Sequence, residues 1–344
     1  MDKTVLFFSC AFPSQGRCAP VFCSAISIWQ PVASGQQPNY TLNTLNTHNL
    51  IFIIGPTAAG KSARAMQLAA HQPCEIVSAD SRHVYRMMDI GTNKPTPQEQ
   101  TAVPHHLLNL RDPHESFSLA EYLALARAAI DDVQARGKTA LVVGGTGQYI
   151  RALMEGWQAP EVPPDEALRG QLAALPAEEL IRQLASRDPA ALNTIDPRNL
   201  RRVIRALEVM ERTGQKWSEL QKREPLSLRV EQIEYIRGFT PSPTHPGERG
   251  ERDALYARAD ARILQMIEQG WLEETRRILA FLSERGILAD AAPSLPAMSA
   301  LGYRQMCAVL AGRMTMDETI AEIKHDTRRF IRMQDTWFRQ MSAG

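Results

Sequence analysis

Short apolar runs that alternate with helical patterns dominate the first half of the chain. The runs occupy residues 50–54 (LIFII), 75–80 (EIVSAD) and 139–145 (TALVVGG), and each ends at or just before a glycine or an acid. Between the second and third runs, residues 119–136 repeat apolar side chains every three to four positions. Such short runs are typical of strands buried on both faces, and their alternation with helices predicts a parallel sheet with crossover helices.

The pattern changes after Trp157, where a segment with three prolines, 159–167, leaves the predicted core. Residues 168–220 are helical in pattern and contain no strand candidate, whereas residues 230–239 predict a further strand. From residue 252 to 338 the pattern is helical again. An α/β fold with a helical insertion and a helical C-terminal part follows. Its predicted segments are a core of residues 49–157 and 230–344 and an insertion of residues 158–229.

Residues 1–48 do not share this periodicity. They begin with a short apolar stretch that is interrupted by Ser9 and Pro13, and are otherwise rich in Ser, Pro, Gln, Asn and Thr. A secretory signal has a more positive start and a longer apolar run. We therefore predict that residues 1–48 are a weakly ordered N-terminal extension, of the kind that translation from an upstream start codon would add.

Composition narrows the class of protein. The chain has 344 residues, 44% of them hydrophobic and 22% charged, with a formal net charge of +1, which allows a large buried core. Its five cysteines form no CxxC pair, so neither a disulfide framework nor a zinc site is expected. No apolar run approaches the roughly 20 residues that span a bilayer. We expect a cytoplasmic protein with one large or two unequal domains.

A phosphate-binding motif follows the first apolar run. Residues 55–62 read GPTAAGKS and match G-x-x-x-x-G-K-[ST], between a predicted strand and a predicted helix. The glycines allow successive backbone amides to face one anion, to which the helix N-terminus adds its dipole. Lys61 would contact the outer phosphate, and the Ser62 hydroxyl would ligate Mg²⁺. The predicted fold is therefore a P-loop NTPase-like core. The loop comprises Gly55, Pro56, Thr57, Ala58, Ala59, Gly60, Lys61 and Ser62.

The loop alone leaves the reaction open. Most such loops bind ATP or GTP, and those proteins usually hold Mg²⁺ through a second acid at the end of an apolar strand. Here the run 139–145 ends in Gly144 and Gly145, whereas the run 75–80 ends in Asp80. From the residues alone, Asp80 serves equally well as a metal ligand or as a proton acceptor.

Further blocks along the chain resemble the tRNA dimethylallyltransferases, also called tRNA isopentenyltransferases. The loop GPTAAGKS is similar to the form that this family has, and the block DSRHVYRMMDIGTNKPT at residues 80–96 carries the resemblance furthest. The remaining blocks occur in the family's order and bring the resemblance to about residues 50–339. They are PHHLLNLRDP (104–113), VGGTGQYIRALMEG (143–156), RRVIRALEV (201–209), LGYRQM (301–306) and TRRFIRMQDTWFR (327–339).

The resemblance implies a reaction as well as a fold. The implied reaction transfers the dimethylallyl group of dimethylallyl diphosphate to N6 of adenine 37, in tRNAs that read codons starting with U, and releases diphosphate. Mg²⁺ is the implied cofactor, and the anticodon stem-loop of tRNA is the implied macromolecular partner. A monomer that does not contact a membrane is expected. The implied fold is a P-loop core with a helical insertion.

The resemblance also assigns catalytic roles to four residues. Asp80 matches the residue that accepts the proton from N6, and Arg262 matches an arginine that reaches the diphosphate. Lys61 would compensate the charge of the leaving diphosphate, and Thr146 would line the substrate channel. Cations are needed because diphosphate departs only if its growing negative charge is compensated.

Binding of tRNA is assigned to residues in several of these blocks. A stacked adenine has to turn out of the anticodon loop to reach a bound diphosphate. Residues 198–229 carry nine Lys or Arg against four Glu, and residues 324–339 carry five against two. Basic runs are usually solvated faces, but within the family blocks they predict phosphate contacts. The predicted tRNA-binding residues are Asp80, Ser81, Arg82, His83, Thr146, Arg169, Arg201, Arg202, Arg205, Gly302, Tyr303, Arg304, Arg332 and Gln334.

The chain departs from the family's pattern at a few positions, besides its long extension. His83 stands where Gln is common, which predicts a different hydrogen bond. Gln148 stands where an apolar residue is usual, beside the expected prenyl tunnel. Met333 and Asp335 replace a more basic pattern, which predicts weaker phosphate contacts near Gln334. None of these positions belongs to the catalytic set, so we expect activity to be retained.

Two other functions remain as alternatives. An ATP-dependent small-molecule kinase would need a further metal-binding acid and arginines over the γ-phosphate. A noncatalytic RNA-binding protein would have no need of Lys61, Ser62 and Asp80, which are all present. His105 and His106 lack a third ligand at a suitable spacing, so they are predicted to be structural rather than metal-binding.

Overall fold

The computed structural model of the chain describes residues 26–28, 50–158, 160, 162–220, 230–237 and 248–342. Its strands are β1 (Ile26–Ile28), β2 (Leu50–Ile54), β3 (Cys74–Ala79), β4 (His105–His106), β5 (Thr139–Gly144) and β6 (Val230–Tyr235). They form one sheet in the order β1-β6-β2-β5-β3-β4, and every neighbouring pair is parallel. The predicted α/β class with a parallel sheet is confirmed.

Twelve α-helices surround or extend this sheet in the described residues. Around the sheet lie α1 (Lys61–Ala69), α2 (Pro97–Ala102), α3 (Leu119–Ala135) and α4 (Gly147–Met154). The segment after the prolines contains α5 (Glu166–Ala173), α6 (Ala177–Arg187), α7 (Leu200–Thr213) and α8 (Trp217–Leu220). The C-terminal part contains α9 (Glu248–Glu268), α10 (Trp271–Ser283), α11 (Tyr303–Leu310) and α12 (Met316–Ser342), so the predicted helical stretches are confirmed.

The central strand β2 is buried on both faces, as its unbroken apolar run predicts. Leu50, Phe52 and Ile54 pack with α3, α4 and Phe338 of α12 on one face. Ile51 packs with α1 on the other face. Side chains of a strand alternate between faces, so one five-residue run contributes to two cores and fixes the sheet between two helical layers.

The helical segment after the prolines has its own core. Leucines and other apolar side chains between Leu168 and Trp217 pack together, with Leu184 and Val203 fully buried. At its edge, the carboxylate of Glu208 is fully buried and accepts hydrogen bonds from Arg169 and Arg205. Two guanidinium groups therefore neutralise one buried carboxylate, which is the condition for burying such a charge.

Three elements, β1, β4 and α2, were not predicted from the sequence. β1 pairs with β6 although it belongs to the segment 1–48. The rest of that segment lies outside the described residues. Residues 238–239 of the predicted strand 230–239 also lie outside them. β4 has only two residues, too few for a period to be read. Helix α2 does have a signal: Thr96 and Glu99 form a capping box and Pro97 follows the cap.

Within the described residues, no helix combines the length and the apolar character that crossing a membrane requires.

Candidate active site

The carboxyl ends of three neighbouring strands meet at one point of the sheet. Ile54 of β2 and Ala79 of β3 both pair with Gly144 of β5. Because the three strands are parallel and end in register, the phosphate loop after Ile54 lies beside Asp80, the residue after Ala79. In parallel sheets, ligands bind at this edge.

The phosphate loop has the backbone that its glycines predict. Gly55 has a φ of 151°, and a Cβ at that position would lie 2.1 Å from the carbonyl oxygen of Ile236. A larger residue therefore cannot replace Gly55 without moving the strand beside it. Gly60 precedes the first turn of α1 with a φ of 99° and provides no side-chain cap, so the helix amides stay available to an anion. Lys61 folds over the loop and donates from Nζ to the carbonyl of Pro56 at 2.7 Å.

Helix α9 brings two arginines to the loop. Arg262 donates a hydrogen bond to the Thr57 hydroxyl. Arg258 donates from Nε to the carbonyl of Ala58 at 3.4 Å. Residues four apart lie on the same helix face, so the spacing of the two arginines is what places both over one loop.

Helix α12 contacts the loop through a buried glutamine. The side-chain oxygen of Gln334 accepts a hydrogen bond from the amide of Thr57 at 2.9 Å. Its Nε2 donates to the carbonyl of Gly145, also at 2.9 Å. A Cβ on Gly145 would lie only 2.6 Å from this Nε2. Gly145 directly follows β5, at a place where kinases often have a metal-binding acid. Because it has no side chain, it leaves room for Gln334.

Asp80 is fixed by the turn that follows β3. Its Oδ1 accepts a hydrogen bond from the amide of Arg82 at 2.8 Å, and the amide of Ser81 donates to the Thr146 hydroxyl at 2.9 Å. Thr146 also precedes α4 and donates its own amide to the carbonyl of Ala79. The predicted catalytic threonine therefore joins the ends of β3 and β5 and holds the backbone next to Asp80.

Asp80, Lys61, Ser62 and Arg262 line one pocket of about 320 Å³. Apolar side chains, including Ile76 and Val143, line it together with these polar groups. The full lining comprises Thr57, Ala58, Gly60, Lys61, Ser62, Ala63, Ile76, Ser78, Asp80, His83, Thr92, Asn93, Pro95, His105, Val143, Gly144, Arg258 and Arg262. Three of the four predicted catalytic residues are thus in one pocket, and Thr146 supports the turn beside it.

The charges of the pocket act on each other. Burial lowers the pKa of the Lys61 ammonium to about 8, helped by repulsion from Arg262 and opposed by Asp80. Burial alone would raise the pKa of the Asp80 carboxyl, but His83, the Arg82 amide and Lys61 outweigh it and hold that pKa below its usual value. Burial lowers the pKa of Arg262, which still leaves a guanidinium protonated at neutral pH. The pocket therefore holds one carboxylate, Asp80, beside three cationic side chains, Lys61, Arg258 and Arg262.

His83 and Gln148, two positions that depart from the family's pattern, differ in their surroundings. The His83 ring lies between the Ser78 hydroxyl and the carbonyl of Thr92, each 3.2 Å from a ring nitrogen, so it remains at the pocket wall. Gln148 is exposed and does not line the pocket, and its place beside a prenyl tunnel remains a prediction.

Asp335 lies in the interior. The residue is 3% exposed, and its carboxylate accepts a hydrogen bond from the Tyr235 hydroxyl at 2.5 Å and pairs with Arg237 and Arg339. Its negative charge is therefore compensated within the protein, and the predicted weakening of phosphate contacts near Gln334 remains a prediction. Its neighbour Met333 is exposed.

The residues predicted to bind tRNA lie at several places in the fold. Ser81, Arg82 and His83 adjoin the pocket, and Arg82 also donates to the carbonyl of Pro296. Arg201 and Arg202 are exposed on α7. Arg304 and Arg332 are exposed on α11 and α12. The half-buried Arg169 and Arg205 already neutralise Glu208, so their contact with tRNA remains a prediction.

Gly302, Tyr303 and Gln334 are buried in the free protein. Tyr303 has no exposed surface, and its hydroxyl donates to Glu274 at 2.6 Å. Gly302 is buried beside it against Trp271, since a Cβ there would lie 2.0 Å from the indole ring. Gly302 and Tyr303 are thus parts of the helical core and Gln334 supports the phosphate loop, and contact of these three residues with tRNA remains a prediction.

The two adjacent histidines contact groups of the protein, and His105 also lines the pocket. His106 Nε2 contacts the buried carboxylate of Glu75 at 2.7 Å, and His105 Nδ1 contacts the carbonyl of Val103 at 2.7 Å. Among the residues that the structure describes, no three His, Cys, Asp or Glu side chains come close enough together to hold a metal ion. Mg²⁺, however, is commonly bound by one or two protein oxygens together with phosphate oxygens and water. The Ser62 hydroxyl in the pocket fits that donor set.

Comparison with known proteins identifies the family. The family model described as IPP transferase matches residues 83–341. The chain belongs to the IPP transferase family. Among curated IPP transferase relatives, a tRNA dimethylallyltransferase of a Roseiflexus species is 49% identical over 85% of this chain and 90% of its own length. That of Chloroflexus aggregans is 46% identical over 86% of this chain and 94% of its own length.

Solved structures of IPP transferase relatives agree in fold. The tRNA isopentenylpyrophosphate transferase of Bacillus halodurans has a TM-score of 0.56 and 34% identity, covering 85% of this chain and 87% of that one. A eukaryotic dimethylallyltransferase acting on tRNA has a TM-score of 0.68 and 26% identity, covering 84% of this chain and 69% of that one. The shared architecture of the sheet and helices is therefore that of known IPP transferases.

Two features of this IPP transferase's pocket were not predicted from the sequence. Arg258 was not among the predicted site residues, although its i, i+4 spacing from Arg262 was a readable signal. The wall formed by Thr92, Asn93 and Pro95 comes from an irregular segment with no periodicity. Only the fold places that segment against the end of β3.

Proposed function

We propose that this protein transfers the dimethylallyl group of dimethylallyl diphosphate to N6 of adenine 37 in tRNA and releases diphosphate. The observation that supports this function most directly is the convergence of Asp80, Lys61 and Arg262 in one pocket at the carboxyl ends of β2 and β3. The reaction needs a base for the amine and cations for the leaving group, and the pocket has both. The curated relatives named above are tRNA dimethylallyltransferases.

The diphosphate is bound by the loop of residues 55–62. The backbone amides at the start of α1 face the phosphate oxygens, and Lys61 and Arg262 compensate the charge that develops as the C1–O bond breaks. Lys61 exchanges its hydrogen bond to the Pro56 carbonyl for one to the outer phosphate. Mg²⁺, held by the Ser62 hydroxyl and phosphate oxygens, would supply further positive charge to the leaving group.

Asp80 accepts the proton of the attacking amine. The N6 lone pair forms the new bond to C1 of the dimethylallyl group, and the electron pair of the breaking C1–O bond leaves with diphosphate. The proton lost from N6 goes to the Asp80 carboxylate, which its surroundings keep ionised. The hydrogen bond from the Arg82 amide orients the Asp80 carboxylate and leaves its other oxygen for the substrate.

The adenine has to leave the stacked anticodon loop to reach this pocket. Ser81 and Arg82, which follow Asp80 in the same turn, are the residues that we propose to contact the displaced base and its neighbours. Exposed Arg201, Arg202 and Arg304 are proposed to contact phosphates. We expect the protein to act as a monomer in the cytoplasm.

A direct assay tests this function. The protein is incubated with Mg²⁺, labelled dimethylallyl diphosphate and an unmodified tRNA transcript, and the tRNA is digested to nucleosides and analysed by mass spectrometry. We expect N6-dimethylallyladenosine only when tRNA, donor and protein are all present. Turnover of ATP without any prenylated nucleoside would contradict the proposal and favour the kinase alternative, which no curated relative named here supports.

A further inference from the structure

One wall of the catalytic pocket is an irregular segment, residues 89–95, which we call the wall segment. Its residues Thr92, Asn93 and Pro95 line the pocket together with Asp80 and the phosphate loop. The wall segment contains neither helix nor strand, so no ladder of backbone hydrogen bonds fixes its place. Its position therefore depends on contacts that other parts of the chain make with it.

A buried carboxylate on α10 holds the first half of the wall segment. Glu274 is only 2% exposed. Its Oε2 accepts hydrogen bonds from the amides of Asp89 at 2.9 Å and Ile90 at 2.7 Å, and its Oε1 accepts one from the amide of Gly91 at 3.1 Å. A carboxylate is buried at acceptable cost only when such donors surround it. Three consecutive amides therefore converge on one side chain, which fixes the backbone that carries them.

The space around Gly91 shows how closely the wall segment packs on α10. A Cβ at Gly91 would lie 2.0 Å from Nε1 of Trp271 and 2.7 Å from Cζ of Tyr303. Trp271 and Glu274 are three residues apart on α10, so they lie on the same face of that helix. The helix thus contacts the wall segment through an indole ring and a carboxylate, and the segment cannot move closer to α10.

Lys94 holds the second half of the wall segment. Its side chain is 2% exposed. The Lys94 Nζ donates to the carbonyl of Tyr85 at 2.6 Å, and to Oδ1 of Asp89 and Oδ1 of Asn109 at 2.7 Å each. An ammonium has three protons, and all three are used inside the protein. Lys94 is therefore not a phosphate ligand, and it fixes the backbone between the two residues on either side of it, which both line the pocket.

The wall segment reaches the proposed base through His83. The carbonyl of Thr92 lies 3.2 Å from Nε2 of His83, and this Nε2 lies 4.0 Å from Oδ2 of Asp80. Because a carbonyl accepts and cannot donate, Nε2 carries the proton of the contact with Thr92. A shift of the wall segment would therefore remove the partner that orients the His83 ring, directly beside the carboxylate that takes the proton from N6.

We infer that Glu274 and Lys94 are positioning residues for the transfer reaction, since they hold the wall segment, and through it His83, in place against Asp80. This inference deepens the proposed function and rests on it, because the base and the donor are those of that reaction. Neither side chain lines the pocket, so both act through the wall segment. A reacting group that is misplaced by about 1 Å slows a reaction about 10²-fold. The diphosphate, in contrast, is bound by the phosphate loop, which the wall segment does not include.

Two variants test this inference from the two ends of the wall segment. Glu274→Gln keeps the size of the side chain but replaces one accepting oxygen by a donating NH2, so at least one amide loses its partner. Lys94→Met keeps the apolar stem and removes the ammonium. With saturating tRNA and donor, we expect kcat to fall at least about tenfold in each variant. The Kd for dimethylallyl diphosphate, measured by equilibrium binding, should stay within about threefold of the wild type.

Leu282→Ala is the matched control for lost stability. Leu282 is fully buried on α10, eight residues from Glu274, which is about 12 Å along the helix. Its truncation destabilises the same helical core but leaves the contacts of the wall segment in place. Each kcat is divided by the fraction of molecules that bind the donor, so unfolded protein does not count. We expect a kcat within about twofold of the wild type for Leu282→Ala.

The outcomes separate this inference from the proposed function. A wild-type kcat in Glu274→Gln or Lys94→Met, or an equal loss of kcat in Leu282→Ala, would overturn the inference. Where Glu274→Gln gives no folded protein, Lys94→Met decides by the same criterion. If the wild-type protein binds the donor but prenylates no tRNA, the proposed function itself fails.

Discussion

The side chain of Gln334, near the C-terminus, accepts a hydrogen bond from the amide of Thr57 in the phosphate loop at 2.9 Å. The same side chain donates to Gly145 at the end of β5, also at 2.9 Å. Helix α12 therefore fixes the distance between the phosphate loop and the end of β5. Because Gln334 is only 7% exposed, neither hydrogen bond can be replaced by water without rearrangement.

Replacement of Gln334 should loosen the phosphate loop. Gln334→Leu leaves the Thr57 amide and the Gly145 carbonyl without partners, at a cost of about 1–3 kcal/mol for each buried group. We expect a lower free energy of unfolding and a higher KM for dimethylallyl diphosphate, measured by denaturant titration and steady-state kinetics. Gln340→Leu, an exposed position on the same helix, is the control. A wild-type donor KM in Gln334→Leu would show that the loop does not depend on this contact.

Replacement of Asp80 should abolish proton transfer and spare binding. Asp80→Asn keeps an oxygen for the Arg82 amide but has no basic carboxylate. We expect kcat to fall by about 10²–10⁴, the usual contribution of a general base. The affinities for tRNA and for dimethylallyl diphosphate, measured by equilibrium binding, should stay within a few-fold of the wild type. Asp290→Asn, at an exposed carboxylate, controls for the change of charge. Lost tRNA binding in Asp80→Asn would make Asp80 structural.

The protonation of Lys61 should set the alkaline limit of activity. Its pKa in the free protein is about 8, so the ammonium that binds diphosphate is present below pH 8 and is lost above it. We expect kcat/KM for dimethylallyl diphosphate to fall as the pH rises through about 8. Asp80, whose pKa lies below its usual value, stays ionised throughout this range and produces no limb there.

Lys61→Arg is the variant that assigns this limb. A guanidinium stays protonated at pH values well above 8, so the variant should lose activity overall but keep a flatter profile on the alkaline side. If wild-type and Lys61→Arg proteins share the same alkaline limb in kcat/KM, another group titrates there.

Tyr303 should act through stability and not through contact with tRNA. Its hydroxyl donates to Glu274, which also accepts hydrogen bonds from the amides of Asp89, Ile90 and Gly91. Tyr303→Phe removes a hydrogen bond to a charged group, worth about 1.5–3 kcal/mol. We expect a lower free energy of unfolding in denaturant titrations and an unchanged affinity for tRNA at temperatures where the variant is folded.

Tyr122 provides the control for this change. Its hydroxyl is buried and has no hydrogen-bond partner among the described residues, so Tyr122→Phe should be neutral or stabilising. A loss of tRNA affinity in Tyr303→Phe that exceeds its loss of stability would support the direct contact predicted from the sequence.

The sequence by itself determined the local parts of this protein. Short apolar runs predicted β2, β3 and β5, because a strand buried on both faces carries mostly apolar side chains, and the pattern of residues 230–239 predicted β6. The phosphate loop was readable because its glycines, Lys61 and Ser62 are neighbours in the chain, and the chemistry of an anion fixes their spacing. Asp80 was recognised as important from its place at a strand end, although its role stayed open until the family blocks were considered.

The tertiary structure alone decided which distant residues share the site. Gln334 lies 277 positions from Thr57, and no periodicity along the chain indicates that pairing. Tyr303 belongs to a motif that reads as a binding surface, yet the packing of α10 against α11 buries it. The reason is physical: a pattern reports which face of an element is apolar, but packing decides which elements meet there and which polar groups are buried between them.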